Sequence, residues 1–208
     1  MNAADVLLIL RRAVPAALVE EVASVDMPAI SVERGPLVET ARALRDDPAL
    51  NFAFLADVTA VDYRPAEPRF EVVYHLACLG AVYPTRADAR TSPSRLRVKV
   101  RVPGDDARLP SVTSVWPTAG WLEREVFDLF GLVFDDHPDL RRILMPDDWE
   151  GHPLRKDYPV QVRKDTALWS PIQISAEEFA ANVRAAQESA RRRARRNTGN
   201  GGGGGGRE

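Results

Sequence analysis

A chain of 208 residues with 45% apolar and 28% charged residues can bury a hydrophobic core and falls outside the disordered and fibrous classes. Its single cysteine, Cys78, excludes an internal disulfide framework and any iron–sulfur cluster held by this chain's own thiolates. The net charge of -2 is unevenly spread: seven Arg and two Glu from Arg184 onward give that end +5, leaving -7 on the remainder.

The longest apolar run near the start, Val6–Leu10, is too short to span a bilayer. The basic pair Arg11–Arg12 follows it, the reverse of a secretory signal. The spacing predicts an amphipathic helix over Val6–Ser24, kinked or restarted at Pro15. Ile30–Val32 reads as a short strand. Leu37–Leu44 reads as a second helix, with Leu37, Ala41 and Leu44 on one face. Phe52–Tyr63 fits strand and helix equally by pattern, and Arg64–Arg69, with Pro65 and Pro68, reads as a loop. Phe70–Leu79 is apolar on both faces, as a strand covered on each side requires, and Cys78 within it reads as a packing thiol. After a polar loop at Gly80–Pro93, Arg95–Val102 alternates perfectly: Leu96, Val98, Val100 and Val102 against Arg95, Arg97, Lys99 and Arg101. That pattern predicts a half-buried strand with a basic open face, paired antiparallel with Phe70–Leu79.

A turn at Pro103–Pro110 leads to Thr118, which is placed to cap a helix running to Phe130, with Gly131 as its terminating glycine. Trp121, Leu122, Val126, Leu129 and Phe130 form an apolar stripe on it, and Arg124 and Asp128, four apart, can pair along its surface. From Phe134 to Pro159 prolines recur with little periodicity. Such a segment makes no core of its own, so its anchors Trp149, Leu154 and Tyr158 are expected to lie against another surface. Ser175–Arg196 predicts a helix opened by a capping box of Ser175 and Glu178. Asn197–Gly206, almost pure glycine, predicts a disordered end.

The segment WLEREVFDLFG, Trp121–Gly131, raises the question of chemistry. Glu123 and Glu125 are two apart on a helix and diverge, so they do not form the facing carboxyl pair of a glycosidase. Neither a nucleophile elbow, a P-loop nor a dinucleotide fingerprint is present. His137 and His152, with Asp135, Asp136, Asp139 and Glu150, match no metal spacing. Arg191–Arg196 is able to meet phosphates by charge alone, but the body is acidic and no nucleic-acid module appears. The residues point to binding protein. A carboxylate enzyme stays as the competing class, and it requires the acids to line a concave pocket.

Glu123, Arg124, Glu125, Asp128, Leu129, Phe130, His137, Arg141, Ile143 and Leu144 together form a fixed constellation. It resembles the signature of the C subunits of proton-pumping NADH–quinone oxidoreductase, the 30-kDa subunit family of respiratory complex I; the alternative is the equivalent subunit of a related membrane-bound hydrogenase-type complex, and the agreement through FLADVTAVDY favours complex I. The following stretch Glu150–Pro159, with His152, Arg155, Lys156, Asp157 and Tyr158, is also similar, as is FLADVTAVDY upstream. The resemblance implies an α+β fold: a two-layer domain with a mixed β-sheet packed by helices, followed by an extended C-terminal arm. The expected organisation is a compact domain over 1–145, a partner-wrapping arm over 146–174, a basic helix over 175–196 and a glycine-rich tail over 197–208. It implies no cofactor and no catalytic residue in this chain, with iron–sulfur clusters, FMN and quinone in partner subunits. The implied partners are the quinone-site subunit (the D subunit) and neighbouring iron–sulfur subunits, with no nucleic acid and with membrane contact only through the complex. The implied location is peripheral, on the cytoplasmic face of the bacterial inner membrane.

Overall fold

The computed structural model describes residues 2–79, 94–159, 175, 177–185 and 187–188. Five strands form one sheet in the order β1-β2-β5-β4-β3: β1 Val19–Val22, β2 Ala29–Val32, β3 Phe54–Asp62, β4 Phe70–Cys78 and β5 Ser94–Val102. The β2–β5 pair is parallel and the others are antiparallel, so the sheet is mixed. The strict alternation of β5 sets its register. Val98 stands opposite Tyr74 and Val102 opposite Phe70, which puts every apolar residue of β5 on the face that carries Val58, Val72 and Ile30.

Helices α1 (Ala3–Ala13), α2 (Leu37–Asp46) and α3 (Ala119–Phe130) cover that face. Val6, Leu7 and Leu10 of α1 enter the core, and Leu37, Ala41 and Leu44 of α2 meet Tyr74, Leu76 and Val98. Asn2 opens α1 with a reciprocal capping box to Asp5. Two short parallel strands, β6 (Arg108–Pro110) and β7 (Val133–Asp135), flank α3. The α+β class and the mixed sheet therefore stand as expected.

Several local readings are corrected. The helix expected over Val6–Ser24 ends at Ala13, because Pro15 cannot continue it, and Val19–Val22 joins the sheet as its edge strand. Phe54–Asp62 is a strand. β6 lies within the expected turn Pro103–Pro110, and Phe134, expected to open an irregular arm, sits buried in β7. Thr118 stands at the first cap position of α3 without a side-chain capping bond. The basic face of β5 is largely neutralised within the domain. Arg97 pairs with Asp26, Lys99 and Arg101 pair with Glu71, and Arg101 also lies over Tyr63.

The unit built on the sheet continues through Pro159, past the boundary expected at 145. In the second unit, Ser175 and Glu178 form the expected capping box, and residues 177–185 are helical. The loop at Gly80–Pro93, the arm over 160–174, most of the basic helix end and the Asn197–Glu208 tail lie outside the described residues. No helix among the described residues is long and apolar enough to cross a membrane.

Candidate functional site

Helix α3 lays two carboxylates into the interior. Its buried positions are Ala119, Glu123, Val126, Asp128 and Phe130, whereas Trp121, expected in the apolar stripe, is 64% exposed. Gly131 ends the helix in the left-handed conformation, with φ 71° and its N–H donating to the Phe127 carbonyl at 2.8 Å. The chain then passes through β7, turns at His137 and runs back across α3.

Asp128 is the hub of that return. Its Oδ2 accepts from the backbone N–H groups of Ile143, Leu144 and Met145 at 3.0, 2.7 and 2.8 Å, and Arg142 donates to Oδ1 at 2.7 Å. Burial alone would raise this carboxyl's pKa. The three N–H donors and the guanidinium outweigh burial and hold it below the ordinary value. Arg124 fixes the same turn from the other side. Its guanidinium donates to the carbonyls of Arg141 and Arg142, both at 3.1 Å, and lies 5.1 Å from the Trp121 ring. The surface pair expected between Arg124 and Asp128 does not form, because both groups are occupied by the backbone of residues 141–145.

Glu123 has a different environment. It is fully buried, accepting from Ser111 Oγ at 2.6 Å and from the Val112 N–H at 2.8 Å. Burial drives its pKa up to about 7 against those two hydrogen bonds. His137 brings Nε2 to 3.1 Å from the Gly120 carbonyl and 4.0 Å from Glu123 Oε2, while its Nδ1 accepts the Asp139 N–H. Arg141 is exposed and pairs with Asp139. Glu125 is exposed, and no hydrogen bond or ion pair reaches it among the described residues.

The downstream signature completes a clasp. His152 donates from Nδ1 to the Asp128 carbonyl at 2.9 Å and stands edge-on to Phe127. Burial lowers its pKa. Its ring fills the space a Cβ on Gly131 would need. The Leu154 N–H reaches the Leu129 carbonyl and Arg155 Nε the Phe130 carbonyl, satisfying the open end of α3. The Lys156 N–H donates to Asp62, Asp157 pairs with Arg69 and Arg64, and Tyr158 stacks on Trp149 while donating to the Glu150 carbonyl.

Asp62 and Arg69, which pair at 2.7 Å beside Asp157, escaped sequence reasoning. Their signal lay in the flanks of the β3–β4 hairpin, far along the chain from the segment they hold. Ser111 and Tyr74 around Glu123 were missed as well, one in a loop without periodicity and the other inside an apolar strand. No group of three His, Cys, Asp or Glu among the described residues is placed to share a metal ion. Two surface hollows, one lined by Glu20 and Arg34 and one by Asp26 and Arg95, lie away from the acids of α3.

The α+β frame and the clasp define a class: a small domain whose acid-rich helix binds its own returning chain. The chain belongs to the family described as respiratory-chain NADH dehydrogenase, 30 Kd subunit, which matches residues 30–164. It is 46% identical to the C subunit of the NADH-quinone oxidoreductase of Roseiflexus sp. over 160 residues, 77% of this chain and 86% of that protein. With the corresponding C subunit of Saccharopolyspora erythraea it shares 49% identity over 152 residues, 72% of this chain and 56% of that protein. Among solved structures it is similar to a trypsin-resistant fragment of Nqo5, with 37% identity and TM-score 0.50, over 67% of this chain and all of the fragment. A chain of the membrane-bound sulfane sulfur reductase, an archaeal respiratory membrane complex, superposes with TM-score 0.58 at 27% identity, over 76% of this chain and 85% of that one.

Proposed function

We propose that this chain is the C-type subunit of a proton-pumping NADH–quinone oxidoreductase and acts there as a cofactor-free scaffold. Its place is peripheral, on the cytoplasmic face of the inner membrane, braced against the quinone-site subunit and the neighbouring iron–sulfur subunits. Electron transfer through FMN, the clusters and quinone belongs to those partners. The observation that carries this reading is the fate of the signature. Arg124, Asp128, His152, Arg155 and the Lys156 N–H are occupied within the chain, and the clasp leaves large apolar side chains outward among exposed charges. Trp121, Leu144 and Leu154 are 64%, 58% and 52% exposed around it. Exposed large apolar groups beside a rigid polar scaffold suit a protein partner. Arg141 and Glu125 supply the surrounding charge, where they matter for orientation more than affinity.

The test is mass spectrometry of what accompanies the tagged chain from mildly solubilised native membranes, with NADH–quinone activity assayed in the same fraction. Recovery of an NADH-oxidising module, iron–sulfur subunits and the quinone-site subunit is expected. A hydrogenase or another electron-input module in their place would retain the scaffold role and reject this complex. A chain that leaves the membrane alone would reject the scaffold role as well.

A further inference from the structure

The cluster beneath the first turns of α3 has no part in the clasp's surface. Glu123 is enclosed by three elements: the loop after β6 (Ser111, Val112), β4 (Tyr74) and the turn after β7 (His137). These are the titratable and hydrogen-bonding groups that face it, and no lysine or arginine ion pair reaches it among the described residues. The Tyr74 hydroxyl is buried with no hydrogen-bond partner among the described residues. Because His137 Nδ1 accepts the Asp139 N–H, its proton sits on Nε2, which donates to Gly120, and the ring is neutral. A buried carboxyl thus has no countercharge among the described residues.

It does not lack a route to solvent. Ser111 Oγ lies 2.6 Å from Glu123 Oε2 and 2.8 Å from Thr113 Oγ1. Thr113 is half-buried, beside exposed Ser114. Two hydroxyls, each able to donate and accept, therefore link the enclosed acid to the surface.

We propose that Glu123 is a proton-exchanging switch within this chain, titrating through the Ser111–Thr113 hydroxyl pair and turning His137 between Gly120 and its own carboxylate. On uptake, a solvent proton adds to Thr113 Oγ1 as that hydroxyl passes its own proton to Ser111 Oγ, which passes its own to Glu123 Oε2. Release runs in reverse. With Glu123 protonated, His137 keeps its Nε2–H on the Gly120 carbonyl, as in this geometry. With Glu123 ionised, the same N–H closes the 4.0 Å gap to Oε2 and leaves Gly120. His137 begins the turn to Asp139, which holds Arg141, whose carbonyl Arg124 grips. The proton is thereby coupled to the seating of the clasp. Burial places the working range near neutrality. The switch is a property of the chain itself, whichever complex it joins.

The experiment is NMR titration of the full chain, labelled with 13C at glutamate carboxyls and 15N at histidine rings. The expected result is one carboxyl with a midpoint near 7, a His137 ring signal that moves with the same midpoint, and loss of both in Glu123→Gln. Thr113→Val should keep the midpoint and slow the proton exchange, seen as a shift from one averaged carboxyl signal to two. An ordinary carboxylate midpoint for Glu123, or a His137 ring that does not follow it, would overturn the switch. Unchanged exchange in Thr113→Val would overturn the relay. If Glu123→Gln does not fold, the wild-type titration alone decides the first two points.

Discussion

Glu123 and Asp128 stand five residues apart on one helix, and both are fully excluded from solvent. Their protonation is pushed in opposite directions, upward for Glu123 and downward for Asp128. Loss of solvent contact alone does not decide this: burial dominates at Glu123, and hydrogen-bond donors outweigh it at Asp128. Asp128 meets three backbone N–H groups and a guanidinium. Glu123 meets one N–H and one hydroxyl, with a neutral imidazole beyond hydrogen-bond reach. One end of α3 is therefore a charge sink that organises the returning chain, and the other is a carboxyl held near its protonated form.

Asp128→Ala is the hardest break of this contrast. It strands three N–H donors and Arg142 in a part-buried site, and such losses cost about 3–5 kcal/mol. Urea unfolding should show most of that loss, and amide exchange at Ile143, Leu144 and Met145 should accelerate before the sheet does. The wild-type contribution has a definite sign with pH. A carboxyl whose pKa is depressed on folding stabilises above its unfolded value and loses that stabilisation as pH falls through the folded one. Asp128 should therefore weaken the clasp only in acid.

Glu123→Gln tests the other end and runs the other way. A carboxyl raised on folding favours the native state fully below the unfolded pKa, and the advantage is lost as pH rises through the folded value. A rise from 4.5 to about 7 corresponds to about 3 kcal/mol. The Gln variant should then be more stable than wild type by up to that amount at pH 8. The difference should vanish below about pH 4.5. Thermal unfolding across pH reads this directly, and a variant that is less stable at every pH would remove the raised acid from the account.

Gly131→Ala addresses the joint between the two regions. The left-handed φ of 71° and the His152 ring in the space an added Cβ would need together predict a loss of about 1–3 kcal/mol, with the His152 ring signal displaced. The smallest effect belongs to the third signature acid. Glu125→Ala should leave the stability of the chain within about 0.5 kcal/mol, since nothing among the described residues holds it.

Much of the frame was legible. The alternation of Leu96, Val98, Val100 and Val102 fixes β5, and the two-sided apolar run of Phe70–Leu79 fixes its partner. Gly131 announces the end of α3. The strands that escaped are short: β1 has four residues and β6 and β7 three each, too few for a period to show. Val19–Val22 was hidden further by the helical spacing before it. The site was legible in its residues and not in its connections. Arg124 and Asp128 obey the i,i+4 rule for a surface pair, yet backbone groups from residues 141–145 claim both. A return of the chain across a helix leaves no periodic trace. Nor does the Asp62–Arg69 anchor, which acts on a residue more than eighty positions away.

The most direct test of the scaffold account combines assembly and activity in one variant. Membranes carrying Asp128→Ala in place of the wild-type chain are assayed for NADH–quinone activity and for the amount of this chain retained with the quinone-site subunit. Both are expected to fall in proportion, with the assembled fraction turning over normally. Full retention with abolished quinone reduction would contradict the scaffold role and place the signature carboxylates in the chemistry.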